Sequence, residues 1–415
     1  MFGPELSQRL SSNPVVPILV EADTSHLTHV RSVLPLSPER ETCFRQIPDS
    51  VYLPSYATLK AAKAIAQTEG VRKIYFNRTY RQTFFSNIRN VAYGPLMYKL
   101  EPGMITTGML RPLYHLEEAD ENGVNGKGVK VAVIDTGFSD NRQLHYADVP
   151  THSVKTGEMS YVDSSGHSTH ICTTIAGRKV VLDSSVQNGF IQGLATGARV
   201  YAIRALYTPL GAGTMSDVLE GMRYALDTVK ADILSMSLGS ETVTPDDDPT
   251  KAVIDTYSAQ GRLMCVAAGN SGSGCKSQSI NSPGDVENAI TVGSMSSIDK
   301  ARAYFSSIGP TADGRIKSDV MAHGGGRSSS ESEPGETIVS SSSGLLDAMD
   351  KKTDRVADIM GTSQATPCVS SILALWKQLH PDLNTIGVKD IFKRFGVSKN
   401  NETGWGLIDY RWGTD

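Results

Sequence analysis

The sequence predicts an α/β protein: a doubly wound, mostly parallel sheet with helices on both faces, preceded by a small α+β domain. Three observations carry this. The 415 residues exceed one ordinary domain, since about 100–200 residues per domain gives two or three. From Lys127 onward the strand-like runs VKVAVID, RVYAIRA, ADILSMSLG, RLMCVAAG and AITVGS alternate with helical stretches such as SDVLEGMRYALDTV at 216–229. Such alternation builds a parallel sheet with helices packed on its faces. Residues 1–95 have a different element order and carry 11 Lys and Arg against 7 Asp and Glu, a net of +4 that leaves −8 for residues 96–415. A basic module beside an acidic one predicts mutual attraction.

Within the N-terminal module, PVVPILVE reads as a buried strand, and Asp23 and Thr24 then start a helix-like stretch to about Val33. Strand-like pieces around ETCFRQIP and SVYLPS follow. YATLKAAKAIAQTEG (56–70) is amphipathic, with Leu59, Ala62, Ile65 and Ala66 on one face, and Gly70 stops it. VRKIYFNRTY closes the module as a strand carrying Val71, Ile74 and Phe76. Strand–helix–strand–strand–helix–strand is the ferredoxin-like order. The boundary is expected between Phe85 and Pro102, where periodicity is weak, giving domains of 1–95 and 96–415.

Composition narrows the function classes. Hydrophobic content of 39% and charge of 20% are globular values, and the net charge of −4 argues against a nucleic-acid partner. Cys43, Cys172, Cys265, Cys275 and Cys368 are scattered without metal-ligand spacing, and the Cys172, Cys265 and Cys368 contexts read as small buried hydrophobes. The first residues, MFGPELSQRLSSNP, lack the pattern of a secretory leader, and no apolar run approaches the roughly 18–20 residues that cross a bilayer. The expectation is a cytoplasmic protein with no membrane span, secreted only if the chain has been trimmed or export is non-standard. HGGGRSSSESEPGE (323–336) and SSSSG (340–344) read as a mobile loop, too polar to pack.

Three motifs carry the chemistry: VAVIDTG (131–137), GHSTH (166–170) and GTSQATP (361–367). Asp135, Gly239 and Asn270 all fall at the carboxyl ends of strands, where open α/β sheets place their ligands. Ser363 precedes the helical run CVSSILALWKQL, with Pro367 expected in the first turn, so it sits where free N–H groups favour an oxyanion. A serine hydroxyl needs a base to take its proton, and imidazole, the side-chain group suited to acid–base work near neutral pH, is supplied by GHSTH as His167. Asp135 precedes His167 by 32 residues and His167 precedes Ser363 by 196. In this order and context, with AAGN (267–270) between the last two, most of residues 110–411 resembles the subtilase family of subtilisin-like serine proteases.

The resemblance implies an endopeptidase that forms an acyl-enzyme. Ser363 would be the nucleophile, His167 the base, Asp135 its orienting carboxylate, and Asn270 the oxyanion donor beside the Ser363 N–H. Gly211, Ala212 and Gly213 of GAGT, and Ser237, Leu238 and Gly239 of SMSLGS, would pair with an extended polypeptide substrate. Ala268, Gly269 and Asn281, with Ser271, would line an uncharged pocket for the residue before the cleaved bond. His170 is assigned to packing; Ser168 and Thr173 depart from the family's pattern, as does His323 in a loop that usually carries Pro. Leu144 stands where the family's common calcium site has Asp; no cofactor is certain, calcium is kept as a candidate, and Asp163, Asp183 and Asn188 are residues that could bind a cation, with solvation the expectation for them. GWGLID (404–409) matches a packing motif. The N-terminal domain resembles the family's inhibitory propeptide, an intramolecular partner cut off near Tyr98–Glu101. Two alternatives stand beside this reading: a narrow maturation protease for one partner, and a catalytically silent binding protein on the same fold.

Overall fold

The computed structural model describes residues 4–13, 15–35, 41–82, 85–86, 100–139, 149–155, 162–207, 211–240, 247–328, 335–342 and 356–414. Its N-terminal domain contains α1 (Pro4–Ser12), β1 (Val16–Asp23), α2 (Leu27–Val33), β2 (Thr42–Phe44), β3 (Ile47–Ala57), α3 (Leu59–Ala66) and β4 (Val71–Phe76). The four strands pair antiparallel in the order β2-β3-β1-β4. That is the ferredoxin-like arrangement expected. Local chemistry sets the ends: the Asp23 carboxylate accepts from Ser25 N–H to open the first helical turn, and Thr58 Oγ1 accepts from Ala61 N–H to open α3. Alternate residues Ile18, Val20, Val51 and Leu53 meet Ala62, Ile65 and Ile74 in one core. Helix α1 was not anticipated; Leu6 and Leu10, one turn apart, bury in that same core.

One expected strand divides in two. Strand β4 ends at Phe76, and the chain turns through Asn77 and Arg78 into a separate strand, β5 (Thr79–Gln82), which leaves the domain's sheet. A two-residue strand, β6 (Phe85–Ser86), follows.

The larger domain is built on β7 (Lys130–Asp135), β8 (Thr151–Ser153), β9 (Arg199–Arg204), β11 (Ile233–Met236), β13 (Leu263–Ala267), β14 (Ile290–Met295) and β15 (Val320–His323). They form one parallel sheet in the order β15-β14-β13-β11-β7-β9-β8. Short strands β10 (Ala212–Thr214) and β12 (Leu238–Gly239) lie apart from it. Period-two alternation along β7 divides the two faces. Val131 and Val133 join the core that holds Ile171 and Ile175 of α4 (His167–Ala176) and Val369 and Ile372 of α7 (Thr362–Leu379). Ala132 and Ile134 join the core that holds Val218 of α5 (Met215–Arg223) and Val253 of α6 (Thr250–Ser258). Among the described residues, no helix is long and apolar enough to cross a membrane.

The two domains meet as their charges predict. Lys73 pairs with Asp247 at 3.4 Å and Arg78 with Asp248 at 3.3 Å. Arg45 N–H donates to Asp227 at 2.9 Å, and Thr42 Oγ1 donates to Glu220 at 3.1 Å.

The Ser-rich segment corrects an expectation. Residues 329–334 and 343–355 lie outside the described residues, but Thr337–Ser341 forms a fully buried strand, β16, paired with β17 (Val356–Met360). Ser340 Oγ meets Thr173 Oγ1 at 2.9 Å, and the buried Glu336 accepts from Ser297 N–H at 2.6 Å and Ile298 N–H at 3.1 Å. Polarity does not prevent packing where each polar group finds a partner. His323 likewise ends strand β15, its N–H and Nδ1 both on Tyr114 Oη, rather than shaping a loop. Gly406 and Ile408 of GWGLID bond to both main-chain groups of Met321, the packing role expected.

A buried ion cluster joins the sheet to the C-terminal segment. Asp319 faces Lys317 Nζ at 2.6 Å and Lys399 Nζ at 2.8 Å, with Asp319 0% and Lys317 2% exposed. The two ammonium groups hold the Asp319 carboxyl well below its ordinary range. Asp319→Asn leaves Lys317 buried without its counter-charge, which should cost about 3–5 kcal/mol of stability. Urea unfolding measures it; a loss below about 1 kcal/mol, the worth of an exposed pair, would contradict this assignment.

Candidate active site

Asp135 ends β7 and His167 opens α4, both at 0% exposure, with His167 Nδ1 2.8 Å from Asp135 Oδ1. The same carboxylate oxygen accepts from Thr136 N–H at 2.8 Å, which fixes its rotamer. A carboxylate on Nδ1 keeps the ring proton there and presents Nε2 as the basic nitrogen. Asp163 holds the backbone on either side of His167. Its Oδ1 accepts from Gly166 N–H at 2.8 Å and Ser165 N–H at 3.2 Å, and its Oδ2 from Thr169 N–H and Oγ1 at 2.8 Å each. These bonds satisfy the open N–H groups at the start of α4. His170 lies one turn on, fully buried, with Nε2 on Ile338 O at 3.0 Å. That is the packing role expected.

Ser363 is the second residue of α7, and this helix packs along α4. It is tied to β12's approach by a reciprocal pair: Ser363 Oγ donates to Ser237 O, and Ser237 Oγ donates to Ser363 O, both at 2.9 Å. Pro367 explains why the second bond exists. It falls at the sixth helical position, not in the first turn as expected, and it lacks the N–H that would otherwise bond Ser363 O four residues back. The Ser237 hydroxyl takes that place.

Asn270 follows β13 and is oriented by Thr362. Its Oδ1 accepts from Thr362 N–H at 3.0 Å and Thr362 Oγ1 at 2.9 Å. The amide plane is thereby fixed, and Nδ2, a buried donor, has no partner among the described residues. A buried unsatisfied donor is costly unless it serves a transient acceptor. Thr362→Val removes one of the two bonds aiming Asn270. Steady-state kinetics should show turnover down about tenfold with KM little changed; an equal change in both would contradict this.

Several of the remaining predicted residues flank an extended segment of the chain itself. Strand β5 lies between β10 and β12, antiparallel to both: Arg81 faces Ala212, Tyr80 faces Gly213, Gln82 faces Leu238 and Arg81 faces Gly239. Gln82 N–H also donates to Gly211 O at 3.0 Å, and its side chain accepts from Ser165 Oγ at 3.0 Å. Beyond Ser363, Phe85 and Ser86 face Met360 and Ile359 of β17. Asn281 is fixed by donating Nδ2 to Ser240 O at 2.6 Å and accepting, at 3.4 Å, from Ser271 Oγ. Gly269 (φ +103°) lies so close that a Cβ would stand 1.9 Å from Asn281 Oδ1, so only glycine fits. Ala268 is placed beside them, but its N–H and carbonyl are both used internally, by Val292 O and Asn281 N–H.

The candidate calcium ligands do not fit that purpose. Asp163 is buried and saturated by the helix start, contrary to the solvated role expected of it. Asp183 closes a turn through Ser185 N–H at 3.0 Å and Oγ at 2.6 Å, and Asn188 sits in a left-handed turn at φ 56°. Among the described residues no three His, Cys, Asp or Glu are grouped as metal ligands. Leu144 lies outside the described residues. The five cysteines are unpaired thiols; Cys172, Cys265 and Cys368 are buried, with burial pushing Cys265 and Cys368 up to about 12.

Comparison with known proteins decides the family. The Subtilase family model matches residues 126–406. This chain belongs to the subtilase family. It is 35% identical over 303 residues to serine protease AprX of Bacillus subtilis, covering 67% of this chain and 64% of AprX. It is 31% identical over 294 residues to M-protease of Shouchella clausii and to subtilisin Savinase of Lederbergia lenta, covering 70% of this chain, 65% of M-protease and 92% of Savinase. The chain thus spans less than two thirds of the length of AprX and M-protease. In this subtilase the sequence motifs found each candidate residue but missed those that aim them. From sequence alone Asp163 reads as a solvated acid, Ser237 as a substrate contact and Pro367 as a helix opener. A signal existed for Thr362 alone, a hydroxyl directly before the nucleophile candidate.

Proposed function

We propose that this subtilase is a serine endopeptidase, made as a precursor whose N-terminal domain occupies the substrate groove until it cuts itself free. Ser363 Oγ attacks the substrate carbonyl carbon as its proton passes to His167 Nε2, and Asp135 stabilises the imidazolium that forms. The developing oxyanion takes hydrogen bonds from Asn270 Nδ2 and the Ser363 N–H. His167 returns the proton to the leaving amine. Water then repeats the sequence on the acyl-enzyme, releasing the acid and restoring Ser363.

The observation that carries this reading is the chain's own extended segment, paired antiparallel between β10 and β12 and resumed against β17. A polypeptide substrate binds as an added strand in this manner. The register also selects a bond. Gln82 is opposite Leu238, the neighbour in sequence of Ser237, whose carbonyl receives the Ser363 hydroxyl. Phe85 is opposite Met360, three residues before Ser363. Thr83 and Phe84, outside the described residues, join the two held segments, so Thr83–Phe84 is the scissile bond. The cut expected near Tyr98–Glu101 also falls largely outside the described residues, and among the described residues Leu100 and Glu101 are not paired with β10 or β12. One relative is named a minor extracellular protease, 28% identical over 308 residues. That favours work outside the cell over the cytoplasmic location expected, and assay of medium against lysate decides it.

A fluorophosphonate probe tests the reading. It should label the processed protein at Ser363, as a nucleophile activated by an adjacent base requires. A processed protein that takes no label on Ser363 would establish the silent binding protein instead.

A further inference from the structure

We infer that Asp248 is a specificity-determining residue, selecting substrates with a tyrosine at the fourth residue before the cleaved bond and an arginine at the sixth. This rests on the proposal that strand β5 lies in the groove as a substrate does. Thr79 and Arg81 are exposed, whereas Tyr80, directed inward between them, is 0% exposed. It shares a core with Leu206, Met215, Val218 and Leu238 of the larger domain. An apolar pocket would accept any large side chain. This one contains a carboxylate: Tyr80 Oη donates to Asp248 Oδ2 at 2.8 Å.

The carboxylate is held from behind. Asp248 Oδ1 accepts from Thr250 N–H at 2.8 Å and Thr250 Oγ1 at 2.6 Å at the start of α6, which leaves Oδ2 facing the groove. On Oδ2 converge the Tyr80 phenol, the Ser282 hydroxyl and Arg78 Nη1, the last at 3.3 Å. Arg78 also reaches Asp247 O at 2.9 Å and Glu5 at 3.0 Å. A second buried acid, Asp285, has neither oxygen bonded among the described residues, and burial with Asp248 nearby raises it to about 7. Once residues 77–82 depart, the pocket keeps two acids and loses both the phenol and the guanidinium that faced them. A phenylalanine in place of tyrosine would take from the buried Asp248 Oδ2 one of its three donors with nothing to replace it, the penalty that lets polar sites reject an analogue lacking one hydroxyl.

The test uses the self-processed enzyme and a decapeptide with the sequence of residues 77–86, compared by kcat/KM with Tyr80→Phe and Arg78→Ala versions of the same peptide. Each change should lower kcat/KM about tenfold or more, and the enzyme variant Asp248→Leu should abolish or invert the preference for tyrosine. Equal hydrolysis of the tyrosine and phenylalanine peptides overturns this inference and leaves the protease reading intact. Hydrolysis of none of the peptides overturns the protease reading itself. Should Asp248→Leu fail to fold, the ratio on the unaltered enzyme decides alone.

Discussion

Ser363→Ala is expected to leave the chain whole at 44.6 kDa, while the unaltered chain divides into two pieces under the same conditions. The reason is chemical rather than structural. Alanine removes the only atom proposed to bond the substrate carbonyl, and also the hydroxyl that donates to Ser237 O, but it keeps the helix and its buried cores. For subtilisin itself the loss on removing this nucleophile is about 10⁶ in turnover, enough that cleavage within one chain would stop on a laboratory timescale. The N-terminal domain should then stay in the groove, with Tyr80 and Gln82 between the two edge strands. A gel of both proteins over time is sufficient. Equal processing of the alanine form would assign the cut to a contaminant and remove self-cleavage from the account.

Asn270→Leu is the second large effect. The side chains are similar in size, so the change removes Nδ2 as a donor and Oδ1 as the acceptor of the two Thr362 bonds. The ground-state peptide pairs with main chain of β10 and β12, which this substitution does not touch. Its cost should therefore fall on turnover and not on KM. The loss known for subtilisin on removing its oxyanion-hole donor is about 10²–10³ in turnover. Steady-state kinetics on a peptide substrate checks it; turnover within threefold of the unaltered enzyme would show that the charge develops elsewhere.

Much of the fold and of the candidate site was legible in sequence, for definite reasons. The candidate residues announce themselves because their neighbours are constrained: Asp135 at a strand end, Ser363 at a helix start, Asn270 after glycine. The parallel sheet was visible in apolar runs alternating with helical ones. What stayed hidden depends on partners. Thr79–Gln82 continues the alternation of β4 and looks like more of the same strand, because period two does not record which sheet a strand joins. Ser340 and Ser341 read as loop, since a buried serine is recognisable only beside its partner. Pro367 read as a helix opener, and its missing N–H gained meaning only with Ser237 in place.

The most direct measurement is the mass and N-terminal sequence of the larger product after the unaltered chain has processed itself. An N-terminus at Phe84, with a smaller piece ending at Thr83, is the expected result, because in sequence that bond falls between the two paired segments, which end at Gln82 and resume at Phe85. A larger product beginning near Leu100, with the bond after Thr83 intact, would mean that the segment lies in the groove without being its substrate.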